Sequence, residues 1–141
     1  MKQIIVPSKI DQVAVVTSFI DEYLEECSCP IKVSLQIDIA IDEIFSNIVY
    51  YAYDDTDKDS NRITVSIEKL DNPEGVVISF IDNGKKYNPL EKEDPDTTLS
   101  ADDRQIGGLG IFIVKKSMDE VSYKYEDNSN IFTITKYFFT N

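Results

Sequence analysis

Hydrophobic residues in the first third of the chain recur at steps of three and four, which predicts two amphipathic helices after a short β-type run at residues 2–6. The second helix would occupy about residues 31–53. The apolar stripes comprise Ile10, Val13, Val16, Ile20 and Leu24 in the first helix and Val33, Ile37, Ile41, Ile44, Phe45 and Ile48 in the second. Ser8 and Asp11 have the spacing of a capping box, so we expect the first helix to open there.

The second half of the chain alternates polar residues with β-branched and aromatic ones, which predicts two β-hairpins. Their strands would cover residues 62–70, 76–82, 120–126 and 131–139. Between the hairpins, residues 83–106 contain no credible element, and a short helix follows at residues 111–118. A structureless stretch of this length inside a compact domain is usually disordered or functional, for example a lid.

The order of these elements (strand, two helices, hairpin, lid, helix, hairpin) predicts the α+β class. We expect a two-layer sandwich in which the helices cover one face of a mixed or antiparallel sheet. A chain of 141 residues is long enough to bury an ordinary core, so one domain over residues 1–141 is expected.

The amino-acid composition excludes some classes of catalytic and metal site and argues against some partners. The chain has 26 acidic and 14 basic residues, a net charge of −12 and no histidine, which excludes imidazole catalysis and histidine-based metal sites. The acidic balance argues against nucleic acid as a partner, because the phosphate backbone needs a basic face. It also makes an anionic ligand unexpected at first sight.

The two cysteines, Cys27 and Cys29, are too close for an easy disulfide and too few for a zinc site, so we expect free thiols of a reducing compartment. No apolar run approaches the ~18 residues of a membrane span, and the N-terminus lacks a signal-peptide core. The expectation is therefore a cytoplasmic protein with no membrane partner.

Three local motifs offer candidate chemistry. The first is Glu43 with Asn47, which lie one turn apart on one face of the second helix, with Asp42 adjacent. A carboxylate beside a neutral oxygen donor is a pair that orients a nucleophile and ligates Mg²⁺. The same pair is also typical of a solvated helix face.

The second motif follows the predicted strand that ends at Asp82. A carboxylate there would be partly buried and would need a donor, such as the exocyclic amine of adenine. Gly84 would let a ligand approach the backbone closely, although an ordinary Asn-Gly turn has the same pattern.

The third motif is a glycine cluster before the last helix, formed by Gly107, Gly108, Leu109 and Gly110. Free amides and the helix dipole at such a place bind phosphate, although a flexible hinge is the other interpretation. The cluster fits neither a Walker A loop nor the dinucleotide fingerprint. Arg104 lies just upstream, where a guanidinium could reach a terminal phosphate.

The order and spacing of these motifs resemble the Bergerat ATP-binding fold, which histidine kinases, DNA gyrase and the heat-shock and mismatch-repair ATPases share. The matching motifs are Glu43-x-x-x-Asn47, Asp82-x-Gly84-x-x-Tyr87-Asn88-Pro89 and Gly107-Gly108-Leu109-Gly110-Ile111. The Tyr-Asn-Pro ending and the stretch GGLGIFIVKKSMDEVSYKY are most similar to the anti-sigma factor serine kinases of bacterial partner-switching systems. The resemblance covers essentially the whole chain.

The resemblance implies a role for each matching residue. Glu43 would be the general base toward a substrate hydroxyl or water, and Asn47 the Mg²⁺ ligand. Asp82 would read adenine N6, and Gly84 would support the backbone beside it. The phosphates would be held by Gly107, Gly108, Leu109 and Gly110, with Arg104 approaching the γ-phosphate. Because backbone amides and Mg²⁺ do not enter a charge count, the acidic balance does not argue against ATP.

The implied activity is that of an ATP-dependent serine/threonine protein kinase and anti-sigma regulator that uses ATP and Mg²⁺. Its substrate would be a serine on an anti-anti-sigma protein, its other partner a sigma factor, and a homodimer is expected. The alternative is an ATP-gated binding module that sequesters a sigma factor or another partner with little or no kinase activity. The chain departs from many relatives at Lys86, where they have a second glycine.

Overall fold

In a computed structural model, which describes residues 1–55, 58–91 and 108–139, the chain forms a five-stranded antiparallel sheet with three α-helices. This confirms the predicted α+β class and decides the sheet as antiparallel rather than mixed. The strands are β1 (Lys2–Pro7), β2 (Arg62–Asp71), β3 (Glu74–Asp82), β4 (Glu120–Glu126) and β5 (Ser129–Tyr137). The helices are α1 (Val13–Glu26), α2 (Ile31–Tyr51) and α3 (Gly108–Ser117), with 3₁₀ turns at Ile10–Gln12 and Pro89–Glu91.

The strand order β1-β2-β3-β5-β4 places β3 at the centre of the sheet. The register pairs Asp82, the last residue of β3, with Ile63 on one side and Asn130 on the other. Asp82 and Asn130, two polar residues from distant parts of the sequence, therefore lie side by side where the inner strands β3 and β5 meet at one end of the sheet.

The core lies between the helices and one face of the sheet. Alternate strand residues point into it, as the pleat requires, and α2 packs against both α1 and α3. The largest fully buried side chains include Phe45, Phe80, Ile37, Ile41, Ile63, Ile67 and Ile78. Each such side chain stabilises the fold by about 1.5–3 kcal/mol relative to exposure.

The predicted capping box at Ser8 is wrong. The Ser8 N–H donates to the Asn61 carbonyl (2.9 Å), which ties this segment to the start of β2. The Ser8 side chain is buried, and its hydroxyl has no hydrogen-bond partner among the described residues. The chain instead enters α1 through the 3₁₀ turn, which has no side-chain cap.

Two predicted helix boundaries also shift. The second helix ends at Tyr51, and the following Ala52 carbonyl accepts a hydrogen bond from the Lys85 N–H (2.8 Å). The last helix begins at Gly108, three residues before the apolar pattern predicted, so most of the glycine cluster forms its first turn. Of the predicted lid, residues 83–91 are described, and only their 3₁₀ turn is regular structure.

Candidate functional site

A mostly apolar cavity lies between α2 and the adjoining ends of β3 and β5. Its free space, counted out to the open mouth, is about 390 Å³. The lining comprises Ile44, Asn47, Ile48, Ala52, Asp82, Tyr87, Pro89, Ile111, Tyr123, Asn130 and Phe132. Apolar walls with a few convergent polar groups are typical of a small-molecule site.

Asp82 is the buried acid of this cavity, with 4% of its surface exposed. It continues the core-facing alternation of Ile78 and Phe80 on β3, and this periodicity turns its carboxylate inward. Its Oδ1 atom accepts hydrogen bonds from the Gly84 N–H (2.9 Å) and the Asn130 side chain (2.9 Å). Burial raises the pKa of Asp82, and these two hydrogen bonds oppose the rise.

The second carboxylate oxygen of Asp82, Oδ2, accepts no hydrogen bond from the residues that the structure describes. An acceptor without a donor in an apolar cavity favours a ligand that brings its own N–H group.

Sequence reasoning missed Asn130. Its side chain is 5% exposed and hydrogen-bonds to Asp82, to the Lys85 carbonyl, to the Tyr87 N–H and to the Tyr123 hydroxyl. Asn130 lies between the two predicted strands of the second hairpin, 120–126 and 131–139, but in the structure it belongs to β5 and faces the same side as the core residues Phe132 and Ile134. The signal that could have identified Asn130 is a polar residue at an alternate position of the strand where the other residues are apolar and face the core.

Gly84 lies against the end of α2. A β-carbon at this position would collide with the Ala52 carbonyl group, so the close neighbour that excludes a side chain is this backbone. The Tyr53 hydroxyl supports the same loop by accepting from the Asn83 N–H (3.1 Å) and donating to the Arg62 carbonyl (2.6 Å). The loop after β3 is therefore held to the end of α2 by its contact with the Ala52 backbone and by the Tyr53 hydroxyl.

A second recess adjoins the cavity on the outer side of α2. It is lined by Glu43, Ser46, Asn47, Tyr50, Tyr51 and Gly110. Asn47 lines both spaces, so the recess and the cavity adjoin at this residue. A β-carbon on Gly110 would meet the carboxylate of Glu43, which places the first turn of α3 beside that side chain.

The electrostatics of the recess suit proton transfer and anion binding. Partial burial raises the pKa of Glu43, and the neighbouring Asp42 raises it further. The first amides of α3 have no partner within the helix, and the positive end of its dipole lies there. Of the predicted site residues, Asp82 lines the cavity, Glu43 and Gly110 line the recess, and Asn47 lines both. Gly108 begins α3, and Leu109 follows it. Arg104 and Gly107 lie outside the described residues.

The residues present fit Mg²⁺ in its usual protein setting. No cluster of three or more acidic, cysteine or histidine ligands occurs among the described residues. Mg²⁺, however, commonly binds one or two protein oxygens together with phosphates and waters. The amide of Asn47, which lines the recess, supplies an oxygen ligand of that kind.

Three further features lie outside the lining of the cavity and the recess. Both cysteines are free and partly buried, and burial raises the pKa of Cys29 to about 11, so this thiol is protonated near neutral pH. Lys86, the departure from the family pattern, lies over the Tyr125 ring with its Nζ 5.6 Å from the centroid. No helix in the described ranges is long and apolar enough to cross a membrane.

Comparison with known proteins agrees with this geometry. The chain is 26% identical, over 75% of its length, to the serine/threonine-protein kinase BtrW of Bordetella bronchiseptica, of which it covers 72%. The RsbU and RsbW domains of a Mycobacterium tuberculosis protein superpose with a TM-score of 0.62 at 15% identity; the match covers 97% of this chain and 32% of that one. The histidine kinase domain of a blue-light-activated kinase from Erythrobacter litoralis gives 0.57 at 14%, over 94% of this chain and 62% of that one.

The chain thus spans about a third of the first structure and less than two thirds of the second, and at these identities the likeness concerns the fold. The sequence profile of the histidine kinase-like ATPase domain matches residues 6–136, which include all of the sheet except most of β1 and the last residue of β5. The chain therefore belongs to the histidine kinase-like ATPase domain family.

Proposed function

We propose that the protein is an ATP-dependent serine/threonine protein kinase and anti-sigma regulator that phosphorylates a serine of a small anti-anti-sigma partner. The observation that carries the proposal is that the apolar cavity and the Glu43 recess adjoin, with Asn47 lining both. This shape suits a ligand with a flat, apolar base at one end and an anionic tail at the other. Family membership and the similarity to a named serine/threonine kinase support it.

At the cavity end, Asp82 would receive the adenine amino group. Its Oδ2 atom has no donor among the described residues, whereas Oδ1 already has two. Apolar side chains such as Ile48 and Phe132 line the same cavity and would cover the faces of the base. Gly84 would keep the loop close to α2, so that Asp82 retains this orientation.

At the recess end, the start of α3 would hold the phosphates. The amides of Gly108, Leu109 and Gly110, together with Gly107, would donate to phosphate oxygens, and the helix dipole favours the negative charge. Arg104 would approach the γ-phosphate. Asn47 would ligate Mg²⁺, which when bound offsets the charge of the phosphates.

Glu43 would accept the proton of the substrate serine hydroxyl as that oxygen attacks the γ-phosphorus. Its raised pKa suits this task, because a general base works best when its pKa lies nearer the working pH. A base contributes mainly in the transition state, so nucleotide affinity should depend little on this residue.

The test is transfer of labelled phosphate from ATP with Mg²⁺ to a candidate anti-anti-sigma protein. We expect E43Q to lower the transfer rate by about 10²–10⁴-fold. The matched control is E68Q, which makes the same substitution at an exposed position of β2 that lines neither the cavity nor the recess. Failure of the wild-type protein to label any such partner while it binds ADP would contradict the kinase proposal.

A second candidate function is an ATP-gated binding module that sequesters a sigma factor or another partner. An exposed apolar stripe on α2 favours it: Ile31, Leu35 and Ile39, spaced four apart, are 78%, 57% and 53% exposed. The neighbouring α1 carries four acidic residues and no basic one, which suits a basic partner. Nucleotide-dependent binding of a sigma factor that persists in E43Q, with no phosphate transfer by the wild-type protein, would favour this function.

A further inference from the structure

The side chain of Asn130 uses its full hydrogen-bonding capacity inside the cavity. Its Nδ2 atom donates to Asp82 Oδ1 (2.9 Å) and to the Lys85 carbonyl (2.9 Å). Its Oδ1 atom accepts from the Tyr87 N–H (3.1 Å) and from the Tyr123 hydroxyl. A primary amide offers two donor hydrogens and two acceptor sites, so every one of them is occupied.

This network also fixes which way the Asn130 amide points. In the flipped orientation, the amide oxygen would face the Asp82 carboxylate and the Lys85 carbonyl, and the NH₂ group would face the Tyr87 N–H. Both ends would then bring like groups together. Asn130 is therefore held as a donor toward Asp82.

We propose that Asn130 is a positioning residue that keeps Asp82 ionised and leaves Oδ2 as its free acceptor, so that the site selects adenine over guanine. The inference rests on the proposed nucleotide-binding function and adds a residue and a cause to it. Adenine presents an amino donor at position 6, whereas guanine presents a carbonyl oxygen there. An ionised carboxylate accepts from the amino group and repels the carbonyl oxygen, whereas a protonated carboxyl group can donate to that oxygen.

The charge of Asp82 depends on neutral donors. Burial is the largest influence on its pKa and raises it, while the hydrogen bonds from Asn130 and Gly84 lower it. Among the described residues no cation is paired with this carboxylate. The titratable groups that face it are the Tyr53 and Tyr123 phenols, whose pKa values are raised by burial, so both are neutral near pH 7. Loss of the Asn130 donor therefore leaves burial less opposed, and the pKa of Asp82 rises.

The experiment compares N130A with the wild-type protein by calorimetric titration with ADP and GDP between pH 5 and 8. The ratio of the two proteins' affinities at each pH cancels the titration of the nucleotide's own phosphate. A ¹³C NMR titration of the Asp82 carboxyl group in the ligand-free proteins reports its charge directly. We expect the midpoint of the pH dependence of ADP affinity and the midpoint of the ¹³C titration both to move to higher pH in N130A. The preference for ADP over GDP at pH 7 should fall by about tenfold or more.

Two matched variants separate this effect from a general loss of structure. S129A removes a neighbouring hydroxyl that donates to Asn83 Oδ1 (2.7 Å) and does not touch Asp82, so it should follow the wild-type protein. Y123F removes one hydrogen bond to Asn130 Oδ1 and leaves the donor to Asp82 in place. Its midpoints should move in the same direction as those of N130A, but less.

Each outcome has a separate meaning. If N130A binds ADP more weakly but keeps the wild-type midpoint and ADP preference, Asn130 is merely structural and the inference is wrong. If the wild-type protein binds neither nucleotide, the proposed function fails, and the inference about adenine fails with it. Should N130A not fold, as judged by circular dichroism, Y123F decides: a shifted Asp82 midpoint supports the inference, and an unshifted one overturns it.

Discussion

The cavity end and the recess end of the site are built differently. At the cavity end, strands and a tight loop hold Asp82 and Asn130, and nearly all their hydrogen-bonding groups already have partners. At the recess end, Glu43 and Asn47 project from α2, and neither side chain hydrogen-bonds to a described residue. A satisfied network fixes geometry before the ligand arrives, whereas groups without partners are completed by the ligand. The first arrangement suits recognition of a base, and the second suits a reacting phosphate.

The largest effects should come from removing the carboxylate charge at each end of the site in turn. D82N replaces the charged acceptor, and we expect ADP affinity to fall about 10–150-fold, the range for a hydrogen bond to a charged group. E43Q should leave ADP affinity within about twofold and reduce only phosphate transfer. Calorimetry with ADP and a transfer assay, applied to both variants, test this. Comparable losses of ADP affinity in the two variants would contradict a division between recognition and chemistry.

A pair of glycine substitutions should separate the ends by stability. A β-carbon in G84A meets the rigid Ala52 carbonyl, so we expect a loss of about 2–3 kcal/mol in the free energy of unfolding. In G110A it meets the movable end of Glu43, and alanine favours a helix by about 0.5–1 kcal/mol over glycine, so stability should change little. Phosphate transfer should nevertheless fall in G110A, because Glu43 is displaced. Urea denaturation measures the first effect, and equal destabilisation of the two variants would refute the contrast.

The sequence predicted the recess end better than the cavity end. Glu43 and Asn47 are four residues apart on one helix, so local periodicity is enough to put them on one face. Asp82 was found because it ends an alternating strand. Asn130 was missed because its importance comes from the register of β3 with β5, a pairing of residues 48 positions apart that no local pattern encodes. The wrong cap at Ser8 has the same cause, since the backbone of Asn61 decides its conformation.

A smaller effect is expected at Tyr53, which supports the loop of the cavity end and is not itself one of the residues that line the cavity. Y53F removes a hydroxyl that bridges the Asn83 N–H and the Arg62 carbonyl. We expect a loss of about 2 kcal/mol in the free energy of unfolding, because two hydrogen bonds are removed and each has a net value of about 1 kcal/mol. ADP affinity should fall less than in D82N, and phosphate transfer at saturating ATP should be unchanged. A fall in that saturated rate would mean that the two ends are coupled through this loop.

The smallest effect should arise between α1 and α2, at the carboxyl groups of Asp21 and Asp38, which line neither end of the site. Burial and a hydrogen bond with Asp21 raise the pKa of Asp38 to about 7, and the buried Asp38 Oδ1 has no donor among the described residues. Because an unfolded aspartate titrates near ~3.9, the folded state binds this proton more tightly. Its contribution to stability is therefore complete below about pH 4 and is lost as the pH rises through about 7.

Thermal unfolding from pH 5 to 8 measures that contribution. We expect the wild-type midpoint temperature to decline modestly across this range and D38N to decline less, because an amide has no proton to lose there. ADP affinity should be the same in the two proteins at each pH, which would show that the helix pair titrates independently of both ends of the site. If D38N followed the wild-type curve throughout, the claim that folded Asp38 holds a proton in this pH range would be wrong. A change in ADP affinity would instead connect the helix layer to the cavity.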